Sequence, residues 1–200
     1  MVTTFECAPP EPAEDAGMLG SLLHDEIGLL PLATSRFHAS TADVCGSGIL
    51  EVRQARRWYG RLIARMLRLP RTSGATRVTL TIHRERAGTS EIVEYWSRRF
   101  DGQAMDSIQT ASAQHVVEQI GRLELRFAIS VASRRLCFEQ VGTSIRVGPR
   151  RLPVPTVIAP RVHASVGGDE EHLDVSVRID APLLGTVLSY AGKLRPESAR

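Results

Sequence analysis

The dominant pattern along the chain is an alternation of apolar and polar residues with a period of two, which is typical of half-buried β-strands. It is cleanest over 78–82, 123–131 and 173–179. Turn-forming residues separate the segments, among them Asp101-Gly102 and Gly167-Gly168-Asp169. The alternation and the turns predict strands over about 42–53, 75–87, 91–100, 103–110, 123–131, 136–147, 161–166, 172–181 and 186–194.

The pattern does not assign a strand to two further segments. Residues 114–120 read either as a strand or as a helical turn. Residues 152–160 contain three prolines, which would remove donors from a sheet ladder, so this segment is predicted to be an extended cover and not a central strand.

Helical spacing of apolar residues is found in the first third of the chain. Two short helices are predicted over 18–27 and 32–38. A longer helix is predicted over 55–69, with an apolar stripe, an arginine stripe and Pro70 at its end. This helix could cover the apolar face of a sheet, or its basic amphipathic surface could lie on an anionic membrane; the sequence favours the first interpretation.

These elements predict an α+β fold. It consists of a curved antiparallel β-sheet or half-barrel of seven to nine strands, covered by one long helix and preceded by short N-terminal helices. Repeated βα units are absent from the pattern, which disfavours a doubly wound sheet. We expect a disordered acidic, proline-rich tail over 1–16, a single domain over 17–195 and a frayed tail over 196–200.

Composition narrows the class of protein. Apolar residues make up 42% of the 200 residues and charged residues 24%, as in globular domains. Apolar runs stay short of the ~18 residues of a membrane span, and the first residues lack the features of a secretory signal. The three cysteines, Cys7, Cys45 and Cys137, are widely spaced, which predicts free thiols and a cytoplasmic location.

Charge adds little evidence for a macromolecular partner. Nearly all basic residues are arginine, and they are spread along the chain without interleaved aromatic residues, so nucleic-acid binding is not predicted. Spacings typical of metal ligands, and the common cofactor-binding motifs, are also missing, so neither a metal nor a cofactor is expected. Cys45-Gly46-Ser47-Gly48 superficially resembles a nucleophile turn, but no helix follows it closely enough, which disfavours catalysis by Cys45 or Ser47.

Four residues are candidates for binding a ligand: His38, Trp96, Arg98 and Tyr190. Trp96 and Arg98 share one face of the predicted strand 91–100 with Glu94. Arg98 could form a cross-strand ion pair and stack on Trp96, or it could hold an anionic ligand inside a cavity. Tyr190 is predicted to point inward, where its hydroxyl would need a partner. His38 precedes the first strand and could titrate near neutral pH.

Gly46 and Gly48 lie on one face of the first predicted strand. Glycines in this position indicate a bend, a bulge or the close approach of another group to the backbone. They support a pocket beside the sheet.

The chain resembles a bacterial family of domains of unknown function. The resemblance lies in residues 96–102 and 183–194, with support from Phe37-His38, 68–70, 152–155 and 159–160, and it spans about 37–194. Members of that family occur alone or behind a saccharopine-dehydrogenase-like Rossmann domain, which implies a stand-alone member here. The resemblance implies no established activity and no catalytic residues.

Three functional hypotheses follow. The first is a binding domain for a small, partly apolar or anionic ligand within the curved sheet. The second is a cofactor-independent enzyme that uses His38, Arg98 or Tyr190 on such a ligand, and whether the protein is an enzyme stays open. The third is an interaction domain for a dehydrogenase-like partner, by analogy with the fused relatives.

Overall fold

A computed structural model describes residues 17–55, 64, 69–87, 91–182 and 184–197. Helix α1 (Met18–Leu23) runs into a 3-10 helix (His24–Leu29), and α2 (Leu32–Ala39) follows. The strands are β1 (Val44–Gln54), β2 (Gly74–Ala87), β3 (Glu91–Phe100), β4 (Gln103–Ser112), β5 (His115–Ile120), β6 (Leu123–Ala132), β7 (Arg135–Val147), β8 (Arg150–Pro153), β9 (Arg161–Gly168), β10 (Leu173–Ala181) and β11 (Gly185–Glu197).

Ten of the strands form a closed antiparallel β-barrel. β1 to β7 each pair with the next strand, β7 pairs with β9, and β9 to β11 continue the sheet. β11 then pairs with β1, with Ile49 opposite Lys193, which closes the circle. The predicted half-barrel of seven to nine strands is therefore wrong. Closure gives both edges of the sheet a partner and leaves β8 as an eleventh strand attached to β7.

The interior of the barrel follows from the alternation in the sequence. In β2, Val78, Leu80 and Ile82 are buried while the residues between them are exposed. The same period holds in β10 and β11, where Leu173, Val175, Leu188, Tyr190 and Leu194 face inward. Because side chains of successive residues point to opposite faces, one face of every barrel strand forms a common core.

The two N-terminal helices close one end of the barrel, which we call the helical end. Met18 and Leu19 of α1 and Phe37 of α2 are at most 3% exposed. The Thr34 hydroxyl donates to the Gly167 carbonyl of β9 over 2.8 Å, which anchors α2 to the wall.

The sequence predicted one long helix over 55–69 as the cover, whereas the helical end is covered by short N-terminal helices. The predicted helix itself falls almost wholly outside the described residues, and Ala64, the one described residue between its two ends, is helical. Residues 56–63 and 65–68 lie outside the described part. β1 ends and β2 begins at the opposite end of the barrel, called here the far end. None of the helices in the described ranges is long and apolar enough to span a membrane.

Gly46 and Gly48 are explained by the barrel itself. A Cβ at Gly48 would lie 2.1 Å from the Lys193 carbonyl oxygen of β11, and one at Gly46 would lie 3.2 Å from that of Arg195. The neighbouring strand therefore occupies the space that these glycines leave. The two glycines therefore do not indicate a ligand pocket. They mark the close approach of β1 and β11 where the barrel closes.

The two unresolved segments and the C-terminus also have definite positions. Residues 115–120 form the barrel strand β5, and the proline-rich segment contributes β8 and a turn outside the barrel circle. β11 continues through Glu197, two residues into the segment expected to be frayed. The predicted tail 1–16 lies outside the described residues.

Candidate functional site

A cavity of about 110 Å³ lies inside the barrel. Its wall is mostly apolar and is formed by residues from α2 and nearly every barrel strand. All four residues singled out from the sequence line it: His38, Trp96, Arg98 and Tyr190. Gln109 and Glu118 complete the polar part of the wall.

Arg98 lies on the inner face of β3 and pairs with a carboxylate two strands away. Its guanidinium donates to the Glu118 carboxylate of β5 over 3.0 Å and to the Ser107 hydroxyl of β4 over 2.9 Å. Ser107 in turn donates to Glu118 over 2.6 Å. The Arg98 and Glu118 side chains are each 11% exposed. Arg98 is thus neither in bulk solvent nor free to neutralise an added anion, because a buried carboxylate already balances its charge.

Trp96 connects this cluster to a second buried ion pair. The Arg98 guanidinium lies 4.8 Å from the centre of the Trp96 ring, the stacking that the sequence suggested. The indole Nε1 donates to Glu94 over 2.9 Å, and Glu94 accepts from Arg84 over 2.8 Å. Arg84 also donates to the Phe37 carbonyl at the end of α2 over 3.0 Å. This chain of contacts fixes α2, and with it His38, against the barrel wall.

His38 is completely enclosed and is 2% exposed. Its ring stacks on Trp96 with centroids 6.0 Å apart, and its Nδ1 has no hydrogen-bond partner among the described residues. Burial, with a smaller contribution from the Arg84 charge, lowers the pKa of His38 to about 3. His38 is therefore neutral at pH 7, and it does not titrate near neutral pH as the sequence suggested.

Gln109 was missed by the sequence reading. It lies on β4 between Glu94 and Glu118 of the neighbouring strands and is 3% exposed. Its Oε1 is buried without a hydrogen-bond partner in the described part of the chain. Buried polar atoms are nearly always paired, so an orphan atom in a cavity wall requires an explanation. The sequence could have predicted its inward position, because Gln109 is separated by two and four residues from Ser107 and Met105, which face inward on the same strand.

Tyr190 points inward as predicted and is 6% exposed. Its ring packs edge-to-face on Phe100 at 5.2 Å. Burial raises the pKa of the Tyr190 hydroxyl, and this effect outweighs the opposing influence of the Arg98 charge. The hydroxyl makes no hydrogen bond to a described residue, and it lies within electrostatic range of the Arg98–Glu118 pair.

Other candidate chemistry is weaker in the described residues. Ser47 is on the outside of β1, where its hydroxyl donates to Glu197, and Cys45 and Cys137 are free thiols. A larger groove near α2 contains charges that pair with each other: Arg135 with Asp174 at 3.0 Å and Lys193 with Asp169 at 3.5 Å. Within the described ranges, no three His, Cys, Asp or Glu residues converge as a metal site would require.

The fold and the cavity define the class of protein: a closed antiparallel barrel whose interior is a small, mostly apolar compartment with a buried polar cluster. The family model described as "Domain of unknown function (DUF4166)" matches residues 30–194, from just before α2 into β11. The chain belongs to this family. The resemblance seen in the sequence is thereby confirmed, while the link to saccharopine-dehydrogenase-like domains stays a prediction. Comparisons with curated proteins and with solved structures found no match.

Proposed function

We propose that this protein binds a small, neutral, mostly apolar molecule inside the barrel. The observation that carries the proposal is the pairing of an apolar cavity with unpartnered buried polar atoms in its wall, His38 Nδ1 and Gln109 Oε1. Binding sites in proteins combine an apolar lining with a few placed polar groups. A ligand with one hydrogen-bond donor would satisfy an atom that the protein leaves unpaired.

The charge of the site supports a neutral ligand over an anionic one. Arg98 was the predicted anchor for an anion, but Glu118 already accepts from it at 3.0 Å. An anion in the cavity would add an unbalanced charge to a low-dielectric interior, which is unfavourable. Neutral molecules avoid that penalty and still find hydrogen-bonding groups in the wall.

The size of the cavity supports a small ligand. Drug-sized pockets enclose about 300–1,000 Å³, whereas this one encloses about 110 Å³. An apolar cavity of about 150 Å³ binds benzene, and the cavity of this barrel is smaller. A single ring carrying one small polar group is therefore the upper limit of ligand size, and the wall must move to admit it.

The titration behaviour of the site favours binding over catalysis. An efficient general acid or base has a pKa near the working pH. The pKa of His38 is lowered to about 3, and that of Tyr190 is raised above its usual value by burial. Both groups are neutral at pH 7 and are poorly matched to proton transfer there. The enzymatic alternative, the dehydrogenase-like partner and a cytoplasmic location stay predictions from the sequence.

Phenol and toluene test the proposal because they have nearly the same shape and differ in one hydroxyl. We expect both to bind at millimolar concentration or better, measured by calorimetry, with phenol preferred by about fivefold for one net hydrogen bond of ~1 kcal/mol. The double variant His38→Phe/Gln109→Leu should remove that preference and keep toluene binding. Gln119→Leu, a change on β5 outside the cavity wall, should leave both affinities unchanged.

Ala164→Leu provides the blocking variant, since Ala164 lines the cavity and a larger side chain would fill it. It should abolish binding of both probes while the far-UV circular dichroism stays that of the wild type. Wild-type protein that binds neither probe would refute the proposal, and so would a phenol preference that survives in the double variant.

A further inference from the structure

A second feature of the molecule lies outside the barrel, at its far end. Five large aliphatic side chains are exposed there, on the end of β7, on β8 and in the turn before β9. Their exposed fractions range from 40% for Ile145 to 72% for Val157. We call this set the far-end rim: Ile145, Val147, Leu152, Val157 and Ile158.

The rim continues the inner face of the barrel. Leu123, which lines the cavity, lies opposite Ile145, and Ile145 lies opposite Leu152 of β8. Directly opposed residues of paired strands share a face, so the apolar surface runs without a break from the cavity wall onto β8. All four residues of β8 are exposed, and Pro160, just after the turn that holds Val157 and Ile158, also lines the cavity.

The chain segment that carries the rim has charges of one sign. Between Glu139 and Asp169 the sequence contains no acidic residue, and the arginines there are Arg146, Arg150, Arg151 and Arg161. Arg151 pairs with Glu124 of β6 at 3.2 Å, and Arg146 donates to Gln119 at 2.7 Å. Glu124 is itself 5% exposed. The rim therefore combines exposed aliphatic side chains with arginines, and Arg146, Arg150 and Arg161 form no ion pair with a described residue.

We infer that the far-end rim docks on the surface of a bilayer that contains anionic lipids. Aliphatic side chains enter the interface between headgroups and acyl chains, and arginines beside them are attracted to negative headgroups. Residues 140–168 contain no Phe, Tyr or Trp. Single-stranded nucleic acid would require aromatic stacking partners, so the composition favours lipid over nucleic acid.

The test is co-sedimentation of the full chain with vesicles of phosphatidylcholine alone or with 30% phosphatidylglycerol, at about 0.15 M salt, where charges are screened beyond ~8 Å. Wild-type protein should partition onto the anionic vesicles and much less onto the neutral ones. Val157→Ser/Ile158→Ser should lower the partition coefficient on the order of tenfold through lost apolar burial. Arg150→Gln should lower it by about fivefold on anionic vesicles only.

Ile49→Ser is the matched control. Ile49 is 66% exposed against 67% for Ile158, and it also lies between basic residues, Arg77 and Lys193, but on the outside of β1. It should bind vesicles like the wild type. The inference is overturned if anionic vesicles retain no protein, if the rim variants bind as the wild type does, or if a labelled 20-nucleotide single strand is retained through the same residues and vesicles are not.

Docking is independent of the proposed ligand. Ala164→Leu, which fills the cavity, should leave vesicle binding unchanged, and the rim variants should leave phenol binding in solution unchanged. Loss of vesicle binding would therefore refute the docking proposal alone, and loss of phenol binding would refute the ligand proposal alone.

Discussion

Two buried ion pairs on the inner wall of the barrel differ in how completely their hydrogen bonds are used. Arg84 and Glu94, near the helical end, have side chains that are each 1% exposed. The guanidinium of Arg84 bonds Glu94 and the carbonyls of Phe37 and Ala42, and Glu94 also accepts from Trp96. Each nitrogen of that guanidinium has a partner.

The pair in the middle of the barrel is less complete. Arg98 and Glu118 are each 11% exposed and share only Ser107 as a further partner. The Nε of Arg98 makes no hydrogen bond to a described residue, and the pair faces the cavity. The contrast shows that one pair holds α2 on the barrel, while the other leaves hydrogen-bonding capacity directed at an internal space.

The largest expected effect comes from removing one charge of the complete pair. Glu94→Gln leaves the Arg84 charge buried without a carboxylate and should lower the free energy of unfolding by about 3–5 kcal/mol. Glu118→Gln should lower it by about 1–2 kcal/mol, since the Arg98 guanidinium keeps Ser107 and the Trp96 ring and borders a cavity. Urea unfolding monitored by tryptophan fluorescence measures both. Equal decreases in the free energy of unfolding would mean that the two ion pairs contribute equally to stability.

A second effect concerns His38, which packs beside the complete pair. Its pKa is about 3 in the folded protein and 6.5 for the ordinary side chain. Between these values the unfolded chain binds a proton that the folded protein does not, so stability decreases as the pH falls from 6.5 towards 3. The slope contributed by His38 reaches about 1.4 kcal/mol per pH unit. His38→Phe should remove it in unfolding experiments from pH 7 to 4.5.

His83 supplies a control of opposite sign. It is exposed, and its hydrogen bond to the Asp43 carboxylate raises its pKa. Its contribution is present below the ordinary pKa and is lost as the pH rises, so His83→Asn should make stability fall more steeply on acidification. A His38→Phe variant that keeps the wild-type pH dependence would show that folding does not lower the pKa of His38.

The smallest expected effect is at the hydroxyl that links the incomplete pair. Ser107→Ala removes the hydrogen bonds to Arg98 and Glu118 and leaves the ion pair, for a loss of about 1 kcal/mol. Ser97→Ala removes an exposed hydrogen bond to Asp106 and should change stability by less than about 0.5 kcal/mol. If the two serine variants lose the same stability, the Ser107 hydroxyl contributes no more than a surface group.

The sequence predicted the inward position of the site residues better than their partners. Parity along β3 and β11 places Trp96, Arg98 and Tyr190 on the inner face, and the structure has them there. The carboxylate that pairs with Arg98 comes from β5, a strand that the pattern left unresolved. Val116 and Val117 break the alternation, and the inward residue after Val116 is the charged Glu118, so the hydrophobic signal of a half-buried strand is weak.

Local patterns determined nine of the eleven strands, the two short N-terminal helices and membership of the family, since each depends on residues close together in the chain. The tertiary structure alone decided that β11 meets β1 and that Gly48 accommodates the backbone of Lys193. It also decided that Gln109 and His38 are buried without partners around one cavity. A period of two fixes which face a side chain takes, but the strand beside it is set by pairing between residues as distant as Ile49 and Lys193, which no local pattern records.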